Sequence, residues 1–285
     1  MQYTSTQQMR TLPSLRRNAP HYATLRWALK FGARISTGLA IGTTHGFNSG
    51  CMADYIYENE ANGTSFFGEL IDRIYLNQSI NRALRARATL LKDQLRSIIE
   101  ERAERGASTR ILDLASGVGR IYVELLQEET CQDVLVTCVD NDSVALEEGQ
   151  YVAEQAGVES QITYVYGNAF QLVDASNNAL LEEVPDVVVV SGLYESIADD
   201  AVVCQSLLQI HTLLRPNGHL LVTTQPSHPR QEIVANVLSD QRGEPWVIAT
   251  RPLPRMKRWM REAGFHTLTS DEEPEGLCGL VWGLA

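Results

Sequence analysis

The 285-residue sequence predicts an α/β protein, a parallel, doubly wound sheet preceded by a helical region. Three observations carry this. From Arg110 onward, short apolar runs alternate with amphipathic stretches of helical period, the pattern of successive β–α–β units. The run DVVVV at 186–190 is the purest β-branched segment of the chain and predicts a strand buried on both faces. Before Arg110 the apolar residues keep helical spacing, which marks a separate helical part. The length suits one large unit, or one unit with a cap.

Taken in order, residues 1–20 are polar, contain Pro13 and Pro20, and read as a loose tail. From His21 to about Gly38, Leu25, Leu29, Ala33 and Ile35 approximate a helix. The stretch 37–50 is too rich in glycine for a stable helix. Residues 64–77 form an amphipathic helix with Phe67, Leu70, Ile71 and Ile74 on one face. A longer helix over 80–105 places Leu84, Leu91, Leu95, Ile98 and Ile99 inside and its arginines outside, and Gly106 stops it. A helical cap therefore spans 21–108 and a sheet domain 109–285. In the latter, strands are expected at 111–115, 134–140, 162–166, 186–190 and 219–224, with two more at 265–270 and 278–285. Helices are expected from 121, over 142–156, 198–214 and 253–263.

The net charge of −11 divides into +5 for residues 1–108 and −16 for residues 109–285. A carboxylate-rich sheet domain repels phosphate backbones, so nucleic acid is a poor partner. The basic residues of the first part read first as solvated faces of amphipathic helices. No apolar run approaches the ~18 residues of a membrane span, and the first residues lack the apolar core of a secretory signal. Five cysteines with no C-x-x-C pair suit reduced thiols rather than a disulfide framework or a zinc site. These features predict a soluble cytoplasmic protein without a metal; a homo-oligomer is left open.

The chemistry resides at the end of the first strand, in Asp113-Leu114-Ala115-Ser116-Gly117-Val118-Gly119. Small residues there let backbone approach a ligand, and the following helix offers free N–H groups. The second strand ends in Asp140, whose carboxylate can accept two ribose hydroxyls. Loop, strand-end acid and order together indicate a nucleoside-containing cofactor. A dinucleotide fingerprint would place a third glycine where Tyr122 stands, and with three lysines in the chain no phosphate-loop lysine is at hand.

The loop resembles the first motif of class I S-adenosyl-L-methionine (SAM) methyltransferases, with Ala115 at the first glycine, which is tolerable if that residue keeps φ below zero. The resemblance implies a Rossmann-like, mostly parallel sheet closed by an antiparallel last strand. It makes Asp140 the ribose-binding acid, Asn141 a neighbour of the adenine, and Asn168-Ala169-Phe170 the segment that reads the adenine amine, with asparagine in place of aspartate. Residues 187–195, including Ser191, match the motif that faces the methyl group. The segments GFNSGCMADYIYEN, LIDRIYLN, RILDLASGVGR, VSGLYE and TTQPSHPRQEI are similar to a bacterial methyltransferase family, some of whose members are fused to an α/β-hydrolase domain. That resemblance covers about residues 40–285.

Methyl transfer needs alignment of a nucleophile, exclusion of water and in some cases a base. Candidates are Tyr194 and Glu195 after the fourth strand, His228 and Gln225 after the fifth, and His45, Tyr55 and Tyr57 in the cap. Tyr55 and Tyr57 point to opposite faces unless their segment is helical, so one of them packs. Arg73, Tyr75 and Arg82 are candidates for the cofactor carboxylate or the substrate. Against these stand plainer roles: Glu195 as a charge at a helix start, His228 as an orienting or surface group, the arginines as solvated. The fourth motif reads Ser191-Gly192-Leu193-Tyr194 rather than the Asn/Asp-Pro-Pro-Tyr/Phe of enzymes that methylate base amines, which again disfavours DNA and RNA. The expectation is a methyltransferase of a small polar acceptor through N, O or S. The alternatives are a non-catalytic binder of SAM or S-adenosylhomocysteine (SAH), and, less favoured, an NAD-dependent oxidoreductase.

Overall fold

The computed structural model describes residues 13–171 and 184–285; the first twelve residues of the expected tail lie outside the described residues. Seven strands form one sheet: β1 (Thr109–Leu114), β2 (Val134–Asp140), β3 (Ile162–Tyr166), β4 (Val187–Val190), β5 (His219–Thr224), β6 (His266–Glu272) and β7 (Gly279–Leu284). Their order is β3-β2-β1-β4-β5-β7-β6. All pairs are parallel except β5–β7 and β6–β7. The chain winds outward from β1 to β3, then returns to β4 on the other side of β1. The β1/β4 boundary is therefore the topological switch point, where ligands bind beyond the carboxyl ends.

Period-two alternation divides the sheet between two cores. Val187, Val189, Ile111 and Val136 face one layer, while Val188, Val190, Leu112 and Val222 face the other. All four valines of β4 are buried, as a strand covered on both sides requires. The first face is covered by α5 (Ser79–Glu104) and α6 (Arg120–Leu126), the second by α8 (Asp200–Leu213) and α10 (Leu253–Glu262). α7 (Ser143–Ala156) follows β2 and ends at Gly157 in the left-handed conformation. Leu91, Leu95, Ile98 and Ile99 put the second half of α5 into the sheet core, so this helix serves both cap and sheet.

The remaining cap helices are α1 (Pro20–Gly32), α2 (Thr37–His45), α3 (Gly50–Glu58) and α4 (Phe66–Leu76). The glycine-rich stretch 37–50 is thus mostly helical, contrary to expectation. Ser36 and Ser49 cap α2 and α3 by accepting the Leu39 and Met52 N–H groups, each at 3.1 Å. The glycines exist for close packing: a Cβ on Gly38 would stand 2.6 Å from the Tyr55 ring, and one on Gly42 would stand 2.4 Å from Phe47. Tertiary contact overrides the weak intrinsic propensity.

On α4 the apolar face is largely turned out: Phe67, Leu70 and Ile74 are exposed, while Gly68, Asp72 and Leu76 face inward. The reason is polar. Buried Asp72 accepts the Thr37 and Gly38 N–H groups at 3.1 and 3.2 Å and the Ser36 hydroxyl, which completes the start of α2. A helix at α9 (Gln231–Val237), not foreseen from the sequence, packs against α1.

Candidate cofactor and acceptor site

A cavity of about 470 Å³ opens at the β1/β4 switch point, bordered by the carboxyl ends of β1, β2, β4 and β5, the segment after β3, α3, α5 and residues 238–249. Its size lies within the ~300–1,000 Å³ of small-molecule sites. The glycine loop forms one wall. Ala115, Gly117 and Gly119 all lie in the left-handed region, with φ of 70°, 59° and 74°. The expected negative φ at Ala115 is corrected: its backbone turns as a glycine would, and the methyl group makes that turn strained. The Ala115 and Ser116 N–H groups both donate to the Val139 carbonyl, at 2.8 and 3.1 Å, which ties the turn to β2.

Asp140 holds the loop from the next strand. Its Oδ2 accepts the Gly117 N–H at 2.7 Å and its Oδ1 accepts the Asp142 N–H at 2.9 Å. Burial raises its pKa, and those two donors work against the rise. Each oxygen keeps a lone pair for a further donor. Asn141, Asn168, Ala169 and Phe170 continue the same wall, and Asn168 Oδ1 accepts the Phe170 N–H at 2.9 Å. From the cap, the start of α3 rests on the loop, and a Cβ on Gly50 would stand 2.6 Å from Gly117 Cα. Arg120 fastens this contact through Asp54 at 2.6 and 2.9 Å and through Glu58 at 2.6 Å.

The floor is ionic. Burial pushes Asp113 up to about 7, with Tyr122 and Arg87 opposing the rise and Asp140 adding to it. Arg87 reaches the cavity from α5 and is buried. Its Nη2 donates to the Tyr57 hydroxyl at 2.9 Å, and its Nη1 lies 3.8 Å from Glu195 Oε1. Arg87 corrects the expectation that the arginines of this helix face outward.

Beyond β4 and β5 lies the other end of the cavity, with Ser191, Gly192, Glu195, Gln225 and His228. The Gly192 N–H donates to Thr223 Oγ1 at 2.9 Å, joining the two strand ends. Buried Arg251 fixes the segment that carries Glu195, donating to the Ile197 carbonyl at 2.6 Å and to Asp200 at 2.9 Å. Burial, helped by Arg230, pushes His228 down to about 4, so its imidazole is neutral at physiological pH. Residues 238–249 close this end with Asp240, Arg242, Trp246 and Ile248. They are pinned to the cap by Phe47 N–H to Ser239 O (3.0 Å) and Gln241 N–H to Asn48 Oδ1 (2.9 Å).

Of the residues singled out from the sequence, the cavity gathers Asp113, Ala115, Ser116, Gly117, Gly119, Asp140, Asn141, Asn168, Ala169, Phe170 and Ser191. It also gathers Tyr57, Glu195, Gln225 and His228. Six others do not border it. Tyr194 is a core residue whose hydroxyl meets Ser206 Oγ at 2.9 Å. Tyr55 packs in the cap core, on the opposite side of α3 from Tyr57: two residues apart on a helix turns side chains by about 200°. Tyr75 packs beside the same cap core, and His45 ends α2 away from the cavity. Arg73 is exposed and pairs with Glu69 at 3.5 Å, and Arg82 pairs with Glu275 at 2.7 Å. Sequence reasoning missed Arg87, Arg120 and Trp246 as cavity residues. For Arg87 a signal existed: it lies four residues from both Ala83 and Leu91, on the buried stripe of the helix.

A mostly parallel sheet of this order with antiparallel closing strands, and a helical region before it, is the class I SAM-dependent methyltransferase fold. Residues 2–278 match the family described as "Putative methyltransferase", and the chain belongs to that family. It is similar to the uncharacterized protein YnbC of Escherichia coli (strain K12), 33% identical over 258 residues. The match covers 90% of this chain but 43% of YnbC, so the chain spans less than half the length of that relative. Among solved structures, a possible exported protein from Bordetella parapertussis has a TM-score of 0.70 at 17% identity, covering 91% of this chain and 86% of that one. The SAM-dependent methyltransferase SibL in its apo form has a TM-score of 0.55 at 15% identity, covering 93% and 77%. At such identities these two structures speak for the fold alone. No helix among the described residues is long and apolar enough to cross a membrane.

Proposed function

We propose that the protein is a SAM-dependent methyltransferase acting on a small polar metabolite through a nitrogen, oxygen or sulfur acceptor, by in-line displacement. The observation that carries this reading is a convergence. The 113–119 loop, Asp140 and the 168–170 segment border one cavity, whose other end holds buried polar side chains on the adjoining ends of β4 and β5. Bound there, SAM supplies an electrophilic methyl group on a sulfonium.

The residues fit such a cofactor. Asp140 would accept ribose hydroxyls with its remaining lone pairs, and Asn168 Oδ1 would accept the adenine amine beside its bond to Phe170 N–H. Arg87 and Asp113 would take the carboxylate and ammonium of the amino-acid tail, in place of Arg73, Tyr75 and Arg82. Residues 238–249 and the contact of Gly50 with Gly117 restrict water, and Glu195 and neutral His228 stand where a proton could be held or moved. A cytoplasmic setting belongs to the same proposal and is supported by five free cysteines.

Incubation with methyl-labelled SAM and a pool of small metabolites tests the reading by mass spectrometry. The expected result is a labelled product one methylene heavier than its precursor, together with SAH. Tight SAM binding without any labelled product would leave the protein a binder.

A further inference from the structure

Buried polar groups without hydrogen-bond partners gather at the β4/β5 end of the cavity. Both carboxylate oxygens of Glu195, Nε of Arg87 and Nε2 of Gln225 have none, although these residues are only 8%, 7% and 6% exposed. Each such group carries a desolvation cost that only a partner recovers. Arg87 and Glu195 do not satisfy one another, since 3.8 Å is too long for a hydrogen bond.

The charge around them is unbalanced. Arg120 is engaged by Asp54 and Arg242 by Asp240, at 2.6 and 3.1 Å. That leaves Arg87 as the remaining cation among the described residues of the cavity wall, against Asp113, Asp140 and Glu195. Neutral His228 adds no positive charge. A bound sulfonium cofactor would engage Asp113, Asp140 and Arg87 through its ammonium, ribose and carboxylate, which leaves Glu195 as the carboxyl group facing the second ligand. Leu193, Ile197, Trp246 and Ile248 supply apolar wall at this end, and an indole face attracts cations.

We propose that the methyl acceptor is an amine that enters as its ammonium form, with its N–H groups on Glu195 and an apolar body of aromatic size against Trp246. Glu195 would take one ammonium proton, and the nitrogen lone pair so freed would form the N–CH3 bond as the S–CH3 bond of SAM breaks and SAH leaves. The Gln225 amide, turned so that its Oε1 faces the cavity, contributes a second acceptor from the adjoining strand end. This inference rests on the methyltransferase reading and narrows it: carboxylate and phosphate acceptors are excluded, and neutral alcohols are disfavoured.

The test is thermal unfolding and calorimetry of the full chain with SAH present and one of three probes of common skeleton, 2-phenylethylamine, 2-phenylethanol or phenylacetate. The amine alone should raise the melting temperature. Glu195→Gln should keep the shift caused by SAH while its Kd for the amine weakens at least about tenfold; Gln225→Ala should weaken it less. Equal stabilisation by the alcohol or the acid would overturn the proposal. So would the absence of any amine effect, or unchanged amine affinity in Glu195→Gln. If SAH fails to bind the wild type, the methyltransferase reading falls, and the three probes without SAH then judge the ammonium site alone.

Discussion

Replacing Ala115 by glycine should make the protein more stable. Ala115 has φ of 70°, where a Cβ crowds its own backbone at a cost of about 1–2 kcal/mol. Glycine removes that crowding but loses about 0.5–1 kcal/mol to the greater freedom of the unfolded chain. The balance is a gain of about 0.5–1 kcal/mol, because the two hydrogen bonds to Val139 O come from backbone N–H groups that the substitution leaves in place. At this chain length the gain corresponds to a melting shift of about 1–3 °C. Ala115→Val should do the opposite and cost about 2 kcal/mol or more, since a β-branched residue fits left-handed backbone worse still. Urea unfolding at unchanged m-value measures both. A lower midpoint for the glycine variant, or no loss for the valine variant, would refute the left-handed turn at Ala115.

Gly50→Ala would drive a methyl group to 2.6 Å from Gly117 Cα and should destabilise by about 1–3 kcal/mol while weakening SAM binding, measurable by denaturation and calorimetry. Arg120→Ala leaves largely buried Asp54 without its cation and should cost about 3 kcal/mol, with faster hydrogen exchange in α3 than in the sheet strands. Asp113 titrates near 7 in the folded protein, above its ordinary 3.8, so the native state holds this proton more tightly than the unfolded chain. Its contribution to stability is therefore full below 3.8, falls as pH rises toward about 7, and is flat above. Asp113→Asn should remove that slope from a stability–pH profile, and an unchanged slope would place the proton elsewhere.

The sheet was legible because its strands announce themselves by chemistry that tertiary packing does not overrule. Four consecutive valines, a loop of small residues and an acid at a strand end each admit few conformations. The cap was less legible because its helices depend on partners distant in sequence. Glycines at 38 and 42 argue against helix locally, yet they are what lets Tyr55 and Phe47 pack against α2. On α4 the apolar face points outward because Asp72 is drawn inward by the backbone of α2, a preference that an apolar pattern cannot express. The 113–119 loop, Asp140 and residues 168–170 border one cavity because they lie on strand ends, positions that the sequence pattern marks. The arginines divide: Arg73 and Arg82 take the plainer role and pair with surface carboxylates, whereas Arg87, expected on the outer face of its helix, lies on the buried stripe and reaches the cavity.

We propose above that the cavity at the β1/β4 switch point holds SAM, with Asp140 on its ribose. Isothermal titration of SAM, SAH and NAD into the wild type and Asp140→Ala tests it most directly. SAM and SAH should bind, NAD should not, and loss of the carboxylate should weaken SAM by about 2 kcal/mol, roughly thirtyfold. Binding of NAD in place of SAM, or unchanged SAM affinity in Asp140→Ala, would contradict it.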